Sequence, residues 1–201
     1  MSDFYLSRTP SSGGNQKTFT VSTWCKLEYT NNEEHFLGAG TVSTAGEISM
    51  CVDGGEKLMV MFNVGGTEYY FNSAQVLKDY SSWYHFVIAV DTTQGSASDR
   101  MKMYINGSIV TAFTTDNRSN ITQNYDFSVN STSVATYVGR RTTTTGTGYY
   151  KGYLAQTILI DGAALTPSSF GSTNANGIWV PTTSPSVTYG TNGFKLDFTG
   201  T

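Results

Sequence analysis

Charged side chains are scarce in this sequence. Only 13% of its 201 residues are Asp, Glu, Lys or Arg, about half of the roughly 25% that is usual in globular proteins. The formal net charge is −3, and the twelve Lys and Arg residues are scattered along the chain apart from the pair Arg140-Arg141. Nucleic-acid binding requires clustered positive charge. We therefore expect no nucleic-acid partner.

A long apolar run is also lacking. Stretches such as Phe86 to Val90 fall far short of the roughly 20 residues of a membrane-spanning helix, so no membrane segment is expected. The start of the chain, Met1-Ser2-Asp3-Phe4, shows no basic region followed by an apolar stretch. We therefore expect no Sec-type export signal.

Cysteine and histidine are rare, with two residues of each. This excludes a small domain held together by several disulfides, and two histidines without a Cys-x-x-Cys motif do not suggest a zinc site. Cys25 and Cys51 could form a disulfide if their strands lay side by side. The sequence favours two separate, half-buried thiols.

Glycine and aromatic residues are abundant, with 21 Gly, 13 Tyr and 11 Phe. Together with many Thr, Ser and Asn residues, this composition is typical of strands and turns rather than helices. The length suits one β-sandwich, so we expect residues 1–201 to form a single domain. No repeat of fixed period is present, which disfavours a solenoid or a propeller.

Alternating apolar residues predict a series of antiparallel strands. The predicted strands cover residues 19–27, 47–52, 57–64, 67–71, 83–90, 100–105, 109–114, 135–140 and 150–160, with short apolar runs at 178–181 and 194–198. Asp53-Gly54-Gly55, Gly65-Gly66 and Asn106-Gly107 predict hairpin turns, because glycine adopts positive φ at little cost. Segment 83–90 is apolar on both faces, as expected for a central strand covered on both sides.

Two polar segments are predicted as loops. Residues 115–133 should form a long surface loop, and the threonine-rich stretch 142–148 should have a mobile, exposed tip. Near the end of the chain, Thr166, Pro167 and Gly171 predict one short helical turn. Thr is a favoured cap, Pro suits the first helical position and Gly ends the turn.

A set of motifs in these predicted strands and turns is typical of a known family. It comprises Trp83-Tyr-His85 followed by Asp91, the hairpin Met-Tyr-Ile-Asn-Gly at 103–107, Gly139-Arg140, and the segment 150–162. From about Phe19 to Leu165 the chain resembles the concanavalin A-like lectin and laminin G-like superfamily. The resemblance implies an all-β, two-sheet antiparallel jelly-roll sandwich. These motifs mark strands and hairpins, so they specify the fold better than the function.

The C-terminal part of the chain is similar to a narrower group. Segments 165–171, 177–181 and 189–198 resemble a block in laminin G-like domains of bacteriophage virion proteins, notably those of marine phages. This resemblance implies a capsid decoration, head-fibre or tail-fibre protein that forms a homo-oligomer and contacts other virion proteins. Such a protein is assembled in the host cytoplasm, which would account for a missing export signal.

Enzymatic chemistry lacks its usual sequence signals. Glycoside hydrolases on this fold need two carboxylates that flank the scissile bond, and their common Glu-x-Asp-x-x-Glu spacing is absent. We interpret Glu33 and Glu34 as solvated residues of a loop. His85 is interpreted as a packing residue and His35 as facing solvent, so no Ser-His-acid triad is expected. The sequence therefore predicts a non-enzymatic protein.

No cofactor is expected, although many members of the superfamily bind a calcium ion at the rim of the sandwich. Calcium requires clustered oxygen ligands. The acidic candidates are dispersed in the sequence and form no linear ligand loop; they are Asp53, Asp91, Asp99, Asp126 and Asp161. Calcium binding is therefore the minor hypothesis.

Carbohydrate binding is the alternative to a structural virion role. Aromatic faces stack on pyranose rings, while amide, hydroxyl or charged groups fix their orientation. The candidate residues are Tyr69, Tyr70, Arg140, Arg141, Tyr149 and Tyr150. The competing interpretation is that these tyrosines are core or subunit contacts. The sequence thus favours a virion structural protein, with a module that binds host-surface glycans as the alternative.

Overall fold

The chain folds almost entirely into β-strands, as seen in a computed structural model that describes residues 4–142 and 148–198. The threonine-rich tip predicted to be mobile and exposed lies outside these residues. The strands, numbered in chain order, are β1 (Leu6–Arg8), β2 (Thr18–Lys26), β3 (Glu34–Ala39), β4 (Ile48–Val52), β5 (Lys57–Val64), β6 (Thr67–Val76), β7 (Trp83–Asp91), β8 (Met101–Ile105), β9 (Ser108–Ile109), β10 (Phe113–Asp116), β11 (Thr136–Val138), β12 (Tyr153–Asp161), β13 (Gly171–Thr173), β14 (Trp179–Pro181) and β15 (Phe194–Leu196).

Two antiparallel sheets pack face to face. One has seven strands in the order β1-β11-β3-β4-β5-β6-β10, and the other has six in the order β15-β12-β2-β7-β8-β9. Strands β13 and β14 form a separate small sheet. The predicted all-β, two-sheet antiparallel jelly-roll sandwich is confirmed.

The central strand β7 shows how alternation builds the core. Phe86 and Ile88 point between the two sheets, into the main core. Val87 and Ala89 point the other way, into a second cluster that Phe170 completes. All but the first and last residues of β7 are buried, as predicted for a strand covered on both sides.

The hairpin turns follow the glycine pattern at two of the three predicted places. Asn106 and Gly107 have φ of 48° and 82°, which are the two left-handed residues of a tight β-hairpin. In the turn after β4 the left-handed residue is Glu56, with φ of 63°. The Asp53 carboxylate accepts the Gly55 and Lys57 amides there at 2.9 Å each. That turn therefore depends on a carboxylate cap, and the glycine argument for it was wrong.

The segment after the Asn106-Gly107 hairpin departs from the prediction. The strand predicted over 109–114 ends at Ile109, and the chain crosses to the other sheet, where β10 pairs with β6. The predicted surface loop 115–133 contributes Ile121, Phe127 and Val129 to the core, all fully buried. Three apolar residues without a period among polar ones give no recognisable signal.

Strand β3 has no counterpart among the predicted strands. All of its residues are buried, so the prediction of a solvated loop position for Glu34 and of a solvent-facing side chain for His35 was wrong. The physical reason is coverage by a distant segment. A Cβ on Gly38 would lie 3.0 Å from the Arg140 carbonyl oxygen and 3.1 Å from the Arg141 backbone.

The predicted helical turn is present as one turn of 3₁₀ helix at Pro167–Ser169. Thr166 makes no capping hydrogen bond to the backbone; its hydroxyl pairs with the Ser168 hydroxyl at 2.9 Å. Two further 3₁₀ turns, Ala97–Asp99 and Arg118–Asn120, were not predicted. None of the helical turns in the described part of the chain has the length and apolarity to cross a membrane.

Both cysteines are free, as predicted, but they are fully rather than half buried. Cys25 lies in the main core, and Cys51 lies with Met59 and Met61 on the outer face of the seven-stranded sheet. Burial raises the pKa of the Cys25 thiol to about 12. A thiol that stays protonated is a poor nucleophile.

Candidate functional site

A cleft of about 530 Å³ opens beside the start of strand β3. It lies where the β2–β3 loop, the β4–β5 turn and the segment between β11 and β12 meet. Its volume falls in the range of roughly 300 to 1,000 Å³ that is typical of ligand sites. The lining residues are Thr30, Asn31, Asn32, Glu33, Glu34, His35, Gly54, Arg141, Gly148, Tyr149 and Lys151.

Arg141 is held in the wall of this cleft by two carboxylates. Its Nε donates to Glu47 Oε1 at 2.8 Å, and its second terminal nitrogen donates to Glu68. Glu47 is itself buried and also accepts the Ser43 amide at 2.8 Å. Arg141 therefore has its charge balanced and its side chain fixed before any ligand arrives.

Arg140 is packed behind the cleft under aromatic rings. Its guanidinium carbon lies 4.6 Å from the centre of the Tyr5 ring, 5.0 Å from Tyr137 and 5.2 Å from Tyr149. Its Nε and a terminal nitrogen donate to the Thr142 carbonyl at 3.2 Å and 2.6 Å. The contact with Tyr149 helps to fix that ring, over which Lys151 Nζ also lies at 5.6 Å.

The four candidate tyrosines divide between two environments. Tyr149 lines the cleft, and Tyr70 lies nearby on the outer face, where it donates to Glu68. This hydrogen bond raises the pKa of the Tyr70 hydroxyl to about 12. Tyr69 packs against the main core, and Tyr150 is buried there with its hydroxyl donating to the Lys26 carbonyl at 3.0 Å.

The structure therefore brings only part of the predicted site together. Arg141 and Tyr149 line the cleft, Arg140 supports Tyr149, and Tyr70 connects to Arg141 through their shared partner Glu68. Tyr69 and Tyr150 are core contacts, as the competing interpretation holds.

His35 lines the cleft, and no sequence pattern pointed to it. Its Nδ1 lies 2.7 Å from Ser49 Oγ, and its Nε2 lies 3.4 Å from Glu33 Oε2. Burial lowers the pKa of His35, and the hydrogen bond to His35 lowers the pKa of Glu33. Ser49 is fully buried, so a substrate does not reach its hydroxyl, and the serine and the carboxylate occupy the opposite imidazole nitrogens from those of a catalytic triad.

His85 belongs to a separate hydrogen-bonded chain in the six-stranded sheet. Its Nδ1 accepts from Trp179 Nε1 at 3.0 Å, so the proton lies on Nε2, which donates to Ser22 Oγ at 2.8 Å. The ring is fully buried and stacks on Trp24 at 4.8 Å. Burial lowers the pKa of His85 to about 3. Both nitrogens are satisfied in the neutral form, as its predicted packing role requires.

The buried neutral His85 predicts a loss of stability in mild acid. Its folded pKa lies below the ordinary value of 6.5, so between about pH 6.5 and pH 3 the unfolded chain binds a proton that the folded chain does not. The free energy of unfolding should fall as the pH falls, with a slope that approaches about 1.4 kcal/mol per pH unit. Urea unfolding from about pH 7 to pH 5, above most carboxyl titration, measures this slope.

The variant His85→Gln is the control for this pH dependence. Glutamine keeps an acceptor for Trp179 but does not titrate, so the slope between about pH 6.5 and pH 5 should become shallower. The contribution of His35, whose pKa is also lowered, should remain, together with the smaller opposing contribution of Glu34, whose pKa is raised. A slope as steep as that of the wild type would assign the proton uptake to other groups.

The acidic residues considered for calcium each have local partners. Asp161, for example, accepts the Asn15 and Asn192 amides at 2.7 Å and 2.9 Å, and Asp53 caps the turn described above. Within residues 4–142 and 148–198, no three His, Cys, Asp or Glu side chains converge in a group that could hold a metal ion.

Solved structures with the same architecture come from very different proteins. A native heptameric SAP-like pentraxin from Limulus polyphemus shares 18% identity, with 96% of this chain and 88% of that chain covered and a TM-score of 0.56. The CBM40 of a Ruminococcus gnavus IT-sialidase, bound to α2,3-sialyllactose, shares 14% identity over 77% of this chain and 80% of that chain, with a TM-score of 0.54.

The enzymatically active domain of tailspike protein 2 from bacteriophage CBA120 shares 11% identity over 80% of this chain and 24% of that chain, with a TM-score of 0.51. At these identities, all three likenesses show the fold alone. No curated protein sequence matches the chain. A family model does match, over residues 4–169, and its description is the concanavalin A-like lectin/glucanases superfamily. Because this match spans most of the sequence, the chain belongs to the concanavalin A-like lectin/glucanases superfamily.

Proposed function

We propose that this chain is a non-enzymatic carbohydrate-binding module whose ligand occupies the cleft beside Tyr149 and Arg141. The observation that carries the proposal is an aromatic ring, held by the Arg140 guanidinium at 5.2 Å, in the wall of a polar cleft of about 530 Å³. An aromatic face with a few oriented polar groups around it is the usual composition of a saccharide site.

The polar groups of the cleft suit hydroxyl-rich ligands. A sugar hydroxyl both donates and accepts, and the cleft offers amides from Asn31 and Asn32, the Lys151 ammonium and the Glu33 carboxylate. The hydrogen bond from His35 lowers the pKa of Glu33, so this carboxylate stays ionised and accepts hydrogen bonds at neutral pH. The CBM40 with the same fold was solved with α2,3-sialyllactose, which makes that trisaccharide a reasonable first probe.

The carboxylates of the cleft support binding rather than bond cleavage. Glu34 is buried, and this burial raises its pKa. Glu33 accepts a hydrogen bond from His35 Nε2 at 3.4 Å. One carboxylate is hydrogen-bonded to His35 and the other is buried, whereas hydrolysis requires two carboxylates that flank the scissile bond.

Replacement of Tyr149 should remove most of the glycan affinity. A glycan array with α2,3-sialyllactose among its members would identify a ligand, and isothermal titration would give its Kd. Tyr149→Ala should raise that Kd by about tenfold or more, because the stacking face is lost. Tyr149→Phe keeps the ring and should retain most of the affinity.

Tyr153→Ala is the matched control for this experiment, because Tyr153 is 68% exposed and lies outside the cleft. The Tyr153→Ala variant should bind the glycan with the same Kd as the wild type. An unchanged Kd in Tyr149→Ala, or an array without any bound glycan, would refute the proposed site.

A second candidate function is a structural role in a bacteriophage particle. The favouring observation is an apolar groove of about 540 Å³ around Phe4, Leu6 and Tyr153, which are 80%, 51% and 68% exposed. Exposed apolar patches of this kind mark interaction surfaces, and another copy of this chain in a homo-oligomer would cover it. A bacteriophage tailspike protein contains a region of the same fold, which is consistent with a place for this fold on a particle.

Purified particles test the second candidate directly. The chain should co-sediment with virions in a fixed copy number and appear in a particle map on the capsid or on a fibre. Its absence from washed particles that infect normally would exclude a virion role and leave the glycan-binding module.

A further inference from the structure

All three tryptophans of the chain line one groove on the outer face of the six-stranded sheet. Trp24 comes from β2, Trp83 from the start of β7 and Trp179 from β14, so the groove lies between the large sheet and the small C-terminal hairpin. Its volume is about 490 Å³. The described residues that line it include no charged side chain.

Two of the three indoles are fixed by a stack through His85. The His85 ring lies 4.8 Å from the Trp24 ring and 6.0 Å from the Trp179 ring, with interplanar angles of 17° and 21°. Trp179 Nε1 donates to His85, and a Cβ on Gly107 would lie 2.7 Å from the Trp179 ring. This wall is therefore organised before a ligand binds, which lowers the entropy cost of binding.

One donor and one acceptor in this groove have no partner. Trp24 is 7% exposed, and its Nε1–H makes no hydrogen bond. The Gln156 Oε1 atom is likewise buried without a partner. Buried polar groups are nearly always paired, so a donor and an acceptor both unpaired in one groove call for a ligand that offers both functions.

The backbone at Gln156 supports the same conclusion. Its φ is +46°, in the left-handed region that non-glycine residues rarely adopt, and it lies at the register shift between Ala155 and Ile158 in β12. Its Nε2 donates to the Thr182 carbonyl at 3.1 Å, which anchors the carboxamide and leaves Oε1 as the unused atom. Strained residues of this kind cluster at ligand-binding positions.

We propose that this groove is a second saccharide site, separate from the Tyr149 cleft, which binds a neutral pyranose. The sugar ring stacks on Trp83, which is 41% exposed, and its hydroxyls accept from Trp24 Nε1 and donate to Gln156 Oε1. A hydroxyl can do both, whereas the groove offers no charge to bind an ionic ligand. Both polar atoms are covered in the unliganded arrangement, so the side chains above them must move for the sugar hydroxyls to reach them.

The indole signals of the full chain report on this groove alone, since no tryptophan lies elsewhere. The experiment titrates ¹⁵N-labelled protein with methyl α-mannoside, maltose, cellobiose and lactose and follows the three indole N–H resonances. We expect at least one sugar to give a saturable shift, largest for Trp24, which gains its first hydrogen bond. No saturable shift with any of the four sugars at up to about 50 mM would overturn the proposal.

Two variants test the named contacts without relying on a core change. Trp83→Ala removes the exposed stacking ring, and Gln156→Gly removes the acceptor while it relieves the left-handed backbone. Each should weaken the sugar affinity by about tenfold or more, while Tyr29→Ala, at an exposed tyrosine outside this groove, leaves it unchanged. Equal affinity in the wild type and both variants would refute the groove as the site.

The two saccharide sites are distinguished by measuring the variant of each site in the binding assay of the other. Tyr149→Ala should leave the indole titration unchanged, and Trp83→Ala should leave a glycan bound at the Tyr149 cleft unaffected. If Tyr149→Ala abolishes the indole shifts, a single site exists and the second site is refuted. Loss of the cleft proposal alone would leave the Trp83 and Gln156 results intact.

Discussion

The variant Arg141→Met should lower the free energy of unfolding by about 3 to 5 kcal/mol, because it leaves a buried carboxylate without its partner. The side chains of Glu47 and Arg141 are 3% and 14% exposed, and their Oε1 and Nε atoms are 2.8 Å apart. Methionine fills much of the arginine volume, so the loss comes from the unpaired charge more than from packing. Urea unfolding at pH 7 measures the change.

A double variant separates the charge effect from other causes. In Glu47→Gln combined with Arg141→Met, the buried charge and its partner are both removed. The double variant should therefore be more stable than Arg141→Met alone. A double-mutant cycle with the wild type and both single variants gives the interaction energy between Glu47 and Arg141. A loss below about 1 kcal/mol in the single variant would show that water screens the pair as at an exposed site.

The variant Phe127→Ala should also cost about 3 to 5 kcal/mol, because it opens a cavity in the core. Phe127 is fully buried and makes edge contacts to the rings of Phe19 at 6.2 Å, Phe62 at 6.4 Å and Tyr125 at 5.1 Å. Thermal or urea unfolding measures the loss.

The neighbouring Asp126→Ala is the control for Phe127, since the Asp126 side chain is 56% exposed. Its effect should stay within about 0.5 kcal/mol. If Phe127→Ala were as mild as this control, segment 115–133 would be the surface loop that its polar composition predicts.

The strands that could be predicted are those whose own alternation is strong. Strand β2 was predicted at 19–27 and is observed at Thr18–Lys26, and the Asn106-Gly107 hairpin has the expected left-handed residues. In these elements the alternation of apolar and polar residues within the strand itself predicts which side chains are buried. Local periodicity was therefore sufficient.

The elements that could not be predicted are buried by residues far away in the chain. Strand β3 begins with Glu34 and His35, two polar residues that suggest a solvated segment. In the fold, the Arg140-Arg141 backbone covers this strand. Phe127 reaches the core because its amide donates to the Gln16 carbonyl at 3.0 Å, a contact that no local pattern encodes. Long-range coverage of this kind overrides local polarity.

The candidate sites show the same division. Arg141 and Tyr149 were both candidates from the sequence, and the structure brings them to one cleft. The consecutive residues Tyr149 and Tyr150 point to opposite sides, one into the cleft and one into the core. The partners Glu47 and Glu68 could not be assigned, since only the fold brings them to Arg141. The tryptophan groove was equally hidden, because its three indoles come from distant parts of the chain.

The lengths of the strands at the sheet margins constrain how copies of this protein can associate. The four margin strands β1, β9, β10 and β15 have 3, 2, 4 and 3 residues, whereas the interior strands β2 and β7 have 9 each. Such short margins offer few free amides and carbonyls to an incoming strand. Continuous sheet extension between molecules is therefore disfavoured, and association is left to side-chain surfaces, where point substitutions can tune it without unfolding the sandwich.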